Sequence, residues 1–453
     1  MKKYTIDRLT KEDIFSGVLI APMRQYLKSQ GITDTRKYNF NDDMAIITHY
    51  LQNINTPEGA HYEAKAIPLL EKYYRATHTD LAPDAPVNNI DSEALFTAVR
   101  QAPVQNRFNQ NNDFTFIDLF AGIGGFRIAL EQLGGRCVYA SEFDVPAQKS
   151  YGMNHGVIPF GDIKKQENKD LIPDHVDVLC AGFPCQPFSL AGLRRGFADQ
   201  TKGTLFYDLR SIIEEKHPQI IILENVPGLL SIHNKDTEGN DLQEKTIDTI
   251  LRVLREELHY YVPDPKVLNA RNFGVPQNRD RVFIVGFQER QELDYAYPTG
   301  DGIPEKHFGD IREINAVGTQ YFMSERYWKT LVKHKETQRG KGRGYGYRTI
   351  DNADFGHTLM VGGMGLERNL VVDETNTEVN TVKDPRGELN HEHIRVLTER
   401  ECARMQGFPD YFEIVAGKTP AYRQFGNSVA IPVVREVAQS LLTYARIAFH
   451  AVE

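Results

Sequence analysis

Cysteine and long apolar runs are scarce in this chain, and each shortage argues against a class of protein. The four cysteines among 453 residues are widely scattered and show no paired C-x-x-C spacing, which argues against both a disulfide framework and a zinc site. The longest apolar runs, such as residues 220–223, are far shorter than the ~20 residues that span a bilayer. Mixed polar sequence follows Met1, so we expect a cytoplasmic protein without a secretory signal.

Positive charge is not in excess either, because 53 Lys and Arg residues are outweighed by 61 Asp and Glu residues. The net charge of −8 gives no support for nucleic-acid binding by the chain as a whole, so charge has to be examined locally. Basic residues dominate the segment 326–348, where Glu336 is the only acid. A solvated helix face explains such a segment, but the glycine clusters in and after it also suit a recognition surface.

The first 112 residues predict a separate, mostly helical piece. Apolar residues recur at helical spacing in residues 11–30, 41–53 and 62–75. Residues 81–86 have the composition of a linker, and the Asn-rich residues 105–113 that of a second hinge. A helical DNA-binding module is one interpretation, although no helix-turn-helix can be placed.

From residue 114 the pattern becomes that of an α/β domain. Residues 114–120 predict a strand, and a glycine-rich turn and an amphipathic run follow, as at the start of a nucleotide-binding sheet. The G-x-G-G pattern is weak evidence alone, because the full G-x-G-x-x-G fingerprint is absent. Glu142 follows a second predicted strand, residues 137–140, where an acid suits hydrogen bonding to ribose hydroxyls. A third element ends near Asp162 and adds a carboxylate to the same edge.

A single thiol, Cys185, follows the next predicted strand, residues 176–181. Prolines on either side hold it stiffly at the strand's exit. A buried structural cysteine is the usual explanation for a lone thiol in a turn. However, the following strand, residues 219–223, ends in Glu224, so two successive strands bring a thiol and a carboxylate to one edge of the sheet.

The rest of the chain adds two arginines and a loop-rich insert. Arg279 and Arg281 alternate at period two before a predicted strand, so they share one face. Residues 290–394 are loop-rich, which makes them a poor core and a good recognition surface. From residue 395 the pattern is globular again and ends in an amphipathic helix.

Five ordered motifs resemble those of bacterial DNA (cytosine-5) methyltransferases. They are residues 118–125 (DLFAGIGG), 182–186 (GFPCQ), 224–226 (ENV), 277–281 (QNRDR) and 426–429 (GNSV). The resemblance covers about residues 114–440. It implies an α/β, Rossmann-like S-adenosylmethionine-dependent methyltransferase fold with a small glycine-rich target recognition domain and a helical N-terminal extension. The expected division is 1–112 extension, 113–290 catalytic and cofactor-binding domain, 291–394 recognition domain, and 395–453 completing the catalytic domain.

The resemblance implies S-adenosylmethionine as cofactor, S-adenosylhomocysteine as product, and no metal. Phe120, Gly122 and Gly124 are expected to line the methionine and ribose. Glu142 would hold the ribose hydroxyls, and Asp162 would accept from the adenine amino group. The remaining residues expected to bind the cofactor are Ala121, Phe143, Ile163, Pro184, Leu205, Asn427 and Ser428, of which Leu205 and Asn427 would close the pocket.

The resemblance also implies the catalytic roles. Cys185 would be the nucleophile that adds to C6 of cytosine, because C5 is not nucleophilic enough to take a methyl group directly. Glu224 would bind N3 and the amino group, Arg281 would hold O2, and Arg279 would contact phosphate. A stacked base cannot react in this way, so the target cytosine must be flipped out of the duplex.

Double-stranded DNA is the implied partner, and contacts with it are expected from Gln186, Ser189, Lys341, Arg343 and Arg368. The glycine-rich insert resembles recognition domains that act on CCGG, although related inserts serve longer CC…GG sites. We also expect a cognate restriction endonuclease to be encoded nearby, without direct contact with this protein. The enzyme itself is expected to be monomeric, cytoplasmic and associated with the nucleoid through DNA.

Three other interpretations stay open from the sequence. A tRNA cytosine-5 methyltransferase of the same superfamily would share the catalytic motifs, but the long insert favours duplex DNA. A non-catalytic DNA-binding regulator would keep the fold, but Cys185, Glu224 and Arg281 are all present. A Rossmann-type oxidoreductase does not explain the Pro-Cys-Gln motif or the paired arginines.

Overall fold

The computed structural model describes residues 41–54, 56–77, 113–184, 205–235, 240–344, 346–360, 366–376, 379 and 385–449. The helices are α1 Asn41–Gln52, α2 Pro57–Thr77, α3 Gly125–Glu131, α4 Val145–His155, α5 Gln166–Lys169, α6 Leu205–Lys216, α7 Thr246–Arg252, α8 Glu325–Gly340, α9 Glu399–Arg404, α10 Lys418–Asn427 and α11 Ile431–Ala445. The strands are β1 Phe114–Leu119, β2 Gly135–Ser141, β3 Val178–Gly182, β4 Ile220–Asn225, β5 His233–Lys235, β6 Asp241–Lys245, β7 Lys266–Asn269, β8 Gln277–Asn278, β9 Asp280–Phe287, β10 Gly356–His357, β11 Leu370–Val372 and β12 Ile394–Val396.

A six-stranded sheet in the order β2-β1-β3-β4-β9-β7 forms the centre of the molecule. Strands β2, β1, β3 and β4 are parallel, whereas β9 runs antiparallel to β4 and to β7. The carboxyl ends of β1, β2, β3 and β4 therefore meet at one edge, where ligands bind in open α/β sheets. The predicted Rossmann-like α/β fold is confirmed.

Helices cover both faces of this sheet, which is why its strands are apolar throughout rather than alternating. On one face α11 packs on α3 and contributes Val433, Val437 and Leu441 to the core, as its four-residue spacing predicts. On the other face α6 contributes Leu209 and Ile213, which pack with Leu179 of β3. The two cores together hold the strand ends rigidly in place.

Residues 290–394, which the sequence predicted to be loop-rich, contain one long helix. Helix α8 begins after Ser324, whose side chain accepts a hydrogen bond from Tyr327 N. Its apolar side buries Trp328 and Leu331, and its basic side chains are exposed. The solvated helix face considered for this basic stretch is therefore part of the structure.

The amino-terminal helices α1 and α2 pack on the outer side of β2, the edge strand of the sheet. Their bounds match the predicted helical segments 41–53 and 62–75, and the predicted helix 11–30 and linker 81–86 lie outside the described residues. Among the helices that the structure describes, none is long and apolar enough to cross a membrane.

A buried charge cluster ties the end of the insert to the carboxy-terminal segment. Arg395 lies in β12, is fully buried, and pairs with the carboxylates of Asp373 and Glu401. Its two Nη atoms each donate to one oxygen of Glu401 at 2.8 Å, a bidentate pairing. The same carboxylate accepts from Thr398 N at 2.9 Å and so caps α9.

We expect Arg395→Ala to lower the free energy of unfolding by about 3–5 kcal/mol, because buried Glu401 loses its bidentate partner and buried Asp373 keeps only Arg312, at 3.3 Å. Urea unfolding followed by circular dichroism measures this. Arg290→Ala is the control, since exposed Arg290 pairs with exposed Asp294 at 2.6 Å and such a surface pair contributes little to stability. Equal losses in the two variants would contradict the expectation.

Candidate active site

The glycine-rich turn after β1 has a left-handed backbone at three positions, and two of these positions are glycines. Phe120, Gly122 and Gly124 have φ values of 57°, 56° and 88°. A Cβ on Gly124 would lie 2.1 Å from His155 Nε2, whereas one on Gly122 would meet nothing within 4 Å. Gly124 is therefore needed for close packing, and Gly122 borders open space where a ligand can approach the backbone.

Glu142 follows β2, and its side chain holds this turn by hydrogen bonds. Its carboxylate accepts hydrogen bonds from Gly122 N at 2.7 Å and from Asp144 N at 2.6 Å. Burial raises the pKa of Glu142, and the two backbone donors oppose that shift. The carboxylate thus lies at the strand end where the sequence predicted a ribose ligand.

A cavity of about 160 Å³ opens beside Glu142. Six predicted cofactor residues line it, namely Phe120, Glu142, Phe143, Asp162, Ile163 and Leu205. Ser141, Gly161 and Lys164 also line it and were not predicted. The Ser141 hydroxyl oxygen is buried without a hydrogen-bond partner in the described structure, so a polar ligand group can satisfy it.

The second part of the site is an ion pair at the end of β4. Glu224 is 9% exposed, and its Oε1 lies 3.0 Å from Arg281 Nε on the neighbouring strand β9. Burial raises the pKa of Glu224, while the charges of Arg281 and Arg279 act in the opposite direction. A carboxyl group with a raised pKa next to a fixed cation suits proton sharing with a ring nitrogen.

The loop that carries Cys185 begins beside this carboxylate. Gly182 pairs with Glu224 in the parallel register of β3 and β4, and a Cβ on Gly182 would lie 3.7 Å from Glu224 Oε2. Asn225 Nδ2 donates to Phe183 O at 2.9 Å and so fixes the start of the loop. Cys185, Gln186 and Ser189 themselves lie outside the described residues.

Arg279 is buried at 2% exposure and contacts backbone rather than solvent. Its Nη2 donates to Gly426 O at 3.1 Å and to Ser428 O at 2.6 Å. Burial and the charge of Arg281 lower its pKa. Its Nε and Nη1 have no partner among the described residues, and a phosphate contact by this side chain stays a prediction. The contacts seen in the structure give Arg279 another role, which is to hold the turn at 426–428.

A larger cavity of about 590 Å³ joins the two parts of the site. It is bordered by Phe120, Glu142 and Leu205 of the first cavity and also by Glu224 and Arg281. Predicted residues Gly122, Phe143, Pro184, Arg279 and Asn427 line it as well. One continuous space therefore connects the predicted cofactor carboxylate with the predicted base-binding pair.

Three predicted cofactor residues do not border either cavity and act through the backbone instead. Ala121 N donates to Ser141 O at 2.9 Å, Gly124 N donates to Ala121 O at 2.8 Å, and Ser428 supplies the carbonyl bound by Arg279. The residues that line the larger cavity but were missed include Asn225, Arg423 and Asp144. Arg423 pairs with Asp144 at 2.7 Å across 279 residues of sequence, so only the fold could have shown it.

Three of the five predicted DNA-contacting residues, Lys341, Arg343 and Arg368, lie within residues 291–394. Lys341 directly follows α8, Arg343 comes two residues later, and Arg368 ends a short helical turn at Leu366–Arg368; all three side chains are exposed. No group of three or more His, Cys, Asp and Glu side chains within the described ranges is arranged to hold a metal ion.

The sheet order, the glycine turn with its acid, and the joined cavities define a nucleotide-cofactor enzyme of the Rossmann-like methyltransferase fold. A solved structure, the Dnmt2 methyltransferase of S. pombe, has the same fold with a TM-score of 0.53, at 18% identity and over 73% of this chain and 98% of that one. Residues 114–443 match the C-5 cytosine-specific DNA methylase family, and the chain belongs to it. It is a DNA (cytosine-5)-methyltransferase.

Two curated relatives are similar over about three quarters of this chain. M.HpaII, a type II methyltransferase of Haemophilus parainfluenzae, is 49% identical over 336 residues, which are 74% of this chain and 90% of that protein. M.MspI, a type II methyltransferase of a Moraxella species, is 40% identical over 333 residues, 73% of this chain and 71% of that protein. The family match begins at residue 114 and leaves the helices α1 and α2 outside it.

Proposed function

We propose that this enzyme methylates C5 of a flipped-out cytosine in a short specific site of duplex DNA. The observation that carries the proposal is the Glu224–Arg281 pair, which borders the same cavity as Glu142 and adjoins the start of the Cys185 loop. A base held by this pair would lie in the same cavity as Glu142, next to the strand end after which Cys185 follows in the sequence.

The family uses S-adenosylmethionine, and the residues of the smaller cavity fit it. Glu142 and Asp162 are acceptors for ribose hydroxyls and an adenine amino group, and the open space above Gly122 admits a ligand close to the backbone. Phe120 and Ile163 supply apolar walls, and Leu205 and Asn427 close the pocket. When bound there, S-adenosylmethionine supplies an electrophilic methyl group.

The protein's part in the chemistry is to make C5 nucleophilic. The Cys185 thiolate adds to C6, and the new S–C6 bond moves the ring electrons towards C5. Glu224, in its protonated form, donates to N3 and so draws electron density from C6, while Arg281 orients the carboxyl group and holds O2. A base, such as an ordered water, then removes the C5 proton, and the thiolate leaves as the C5–C6 double bond forms again.

Flipping a base out of the duplex costs a few kcal/mol, which contacts with phosphates and the orphan base must offset. The exposed basic side chains of α8 and residues Lys341, Arg343 and Arg368 supply those contacts in our proposal. This arrangement reconciles the acidic net charge with DNA binding, because positive charge is concentrated in residues 326–348, where Glu336 is the only acid.

We expect Arg343→Gln to weaken duplex binding and to reduce the slope of log Kd against log salt by about 1, as for one lost phosphate contact. Arg290→Gln is the control, because exposed Arg290 follows β9 at the opposite edge of the sheet. Fluorescence anisotropy at several salt concentrations measures both slopes. An identical slope in Arg343→Gln and the wild type would contradict a phosphate contact.

We propose CCGG as the recognition site, within a restriction–modification system. Support comes from the similarity to M.HpaII and M.MspI, which are type II enzymes, and from the resemblance of the insert to CCGG recognition domains. A cognate endonuclease encoded nearby and a monomeric enzyme belong to the same proposal, as does the division at residues 112, 290 and 394.

Bisulfite sequencing of plasmid DNA from cells that express this chain tests the site directly. Protection of one cytosine in every CCGG sequence, and nowhere else, supports the proposal. Protection of a cytosine in another short palindrome would show a different recognition site but would still support the proposed activity. Methylation of tRNA in place of DNA in a competition assay would favour the RNA-modifying alternative.

A further inference from the structure

The outer edge of β2 is covered by the amino-terminal helices rather than by another strand. Ala140 N donates to His49 Nε2 at 3.1 Å, and Val138 O accepts from the Tyr62 hydroxyl at 2.8 Å. An open edge strand would expose these groups to water or to other chains. Helices α1 and α2 therefore replace a missing strand by side-chain hydrogen bonds.

Helix α1 also contacts residues 158–163, the segment that leads into the smaller cavity. Ile158 N donates to Thr48 Oγ1 at 3.0 Å, and the Thr48 hydroxyl donates in turn to Met44 O at 2.7 Å. On its other side the segment is held by an isolated bridge to β2, in which Phe160 N donates to Ala140 O and Glu142 N donates to Phe160 O, both at 2.8 Å. Thr48 thus anchors the start of this stretch to α1, while Asn168 Nδ2, which donates to Asp162 O at 2.9 Å, holds its far end.

His49 holds the ring of Phe160, the residue directly before the cavity. Phe160 is fully buried and stacks on His49 at 4.4 Å and on Tyr139 at 4.9 Å between ring centroids. Burial lowers the pKa of His49 to about 3, so its ring is neutral. Because Nδ1 donates to Ala45 O at 2.8 Å, Nε2 is left as the acceptor for Ala140 N.

The chain passes from Phe160 directly into Gly161, Asp162 and Ile163, which line the smaller cavity. A Cβ on Gly161 would lie 4.0 Å from Asp42 Oδ1, so the start of α1 reaches the outside of this wall. These helices precede the family segment, which begins at residue 114. The catalytic domain of this chain thus carries an additional support at its cofactor end.

We propose that α1 and α2 form the outer wall of the cofactor pocket and that Thr48 and His49 are positioning residues for the adenine-binding segment 158–163. This inference rests on the proposed assignment of that cavity to S-adenosylmethionine. It makes residues 41–77 part of the catalytic unit and leaves DNA recognition to the insert.

The far end of the two helices offers a matched control. Arg136 at the start of β2 pairs with Glu58 Oε2 at 2.7 Å and donates to Asn53 Oδ1 at 2.7 Å. Glu58→Gln weakens the attachment of the helices there without touching residues 158–163. If Thr48 contributes only to stability, Glu58→Gln and Thr48→Val should have the same effect on cofactor binding. If Thr48 positions residues 158–163, only Thr48→Val should weaken cofactor binding.

The experiment compares Thr48→Val, Thr48→Ser, His49→Phe and Glu58→Gln in the full chain. Equilibrium dialysis with labelled S-adenosylmethionine gives Kd, steady-state assays give KM and kcat, and thermal melts give Tm. We expect Thr48→Val to raise Kd and KM for the cofactor about tenfold, the effect of one buried amide left unpaired, with kcat and DNA affinity unchanged. His49→Phe keeps the ring stack but loses the acceptor and shifts Kd in the same direction.

Thr48→Ser, which retains the hydroxyl, restores cofactor binding, and Glu58→Gln lowers Tm without changing Kd. Hydrogen exchange of amides 158–163 rises in Thr48→Val and stays normal in Glu58→Gln. Wild-type Kd in both Thr48→Val and His49→Phe overturns the inference, as does an equal rise in Glu58→Gln. A wild-type chain that methylates DNA but places the cofactor elsewhere also overturns it, whereas a chain that binds no S-adenosylmethionine overturns the proposed function itself.

Discussion

We expect the Cys185→Ala variant to lose methyl transfer by at least about 10⁴-fold, the size of effect seen when a covalent nucleophile is removed. Without the thiolate no adduct forms at C6, and C5 stays too weak a nucleophile to accept the methyl group. Bisulfite sequencing in cells and a tritium-transfer assay on duplex DNA measure the loss.

Cofactor affinity and the thermal midpoint should stay near the wild-type values, because the substitution removes only the Sγ atom. Cys180→Ala is the natural control, since burial raises the pKa of that thiol and keeps it unreactive inside β3. Loss of S-adenosylmethionine binding in Cys185→Ala would contradict a purely nucleophilic role. Residual transfer at more than a trace would point to a different nucleophile.

We expect Glu224→Gln to lower the single-turnover rate by about 10²–10⁴-fold, the usual contribution of a positioned acid. The amide still accepts from Arg281 but cannot give a proton to N3. The variant therefore separates proton donation from the structural part of the ion pair. Glu142→Gln is the matched control, because it alters a buried carboxylate of the same cavity on the cofactor side.

The pH dependence follows from the direction of the pKa shift. Burial raises the pKa of Glu224, so its protonated form persists to higher pH than that of an exposed glutamate. The contribution of the protonated carboxyl to the rate is complete below the raised pKa and declines as pH rises through it. Glu224→Gln should lack this decline, and Glu142→Gln should keep it while raising KM for the cofactor. A wild-type rate that shows no such decline would argue against proton donation by Glu224.

The sequence predicted much of the site because parallel strands place their carboxyl ends at one edge. Glu142 and Glu224 follow β2 and β4, and both border the cavity that joins the two halves of the site. Local apolar runs and turn residues are sufficient to find such positions. The five ordered motifs, read at those positions, were sufficient to indicate the family.

Other features depended on residues that are distant in sequence. The period-two spacing predicted that Arg279 and Arg281 share one face of the strand. In the structure Arg281 pairs with Glu224, whereas Arg279 donates to carbonyl groups almost 150 residues away in sequence. Helix α8 forms within a glycine-containing basic stretch, because Trp328 and Leu331 find an apolar core that the sequence did not reveal. Such destinations follow from packing rather than from local preference.

The sequence alone determined the family, the succession of the strands that lead to Cys185 and Glu224, and the helical character of residues 41–53 and 62–75. Only the tertiary structure decided that those helices lie against β2 and the segment before Asp162. The physical reason is that an amphipathic helix specifies how much apolar surface it must bury but not which surface will cover it. Hydrogen bonds such as those of Thr48 and His49 to β2 and Ile158 make that choice, and they exist only once distant parts of the chain have met.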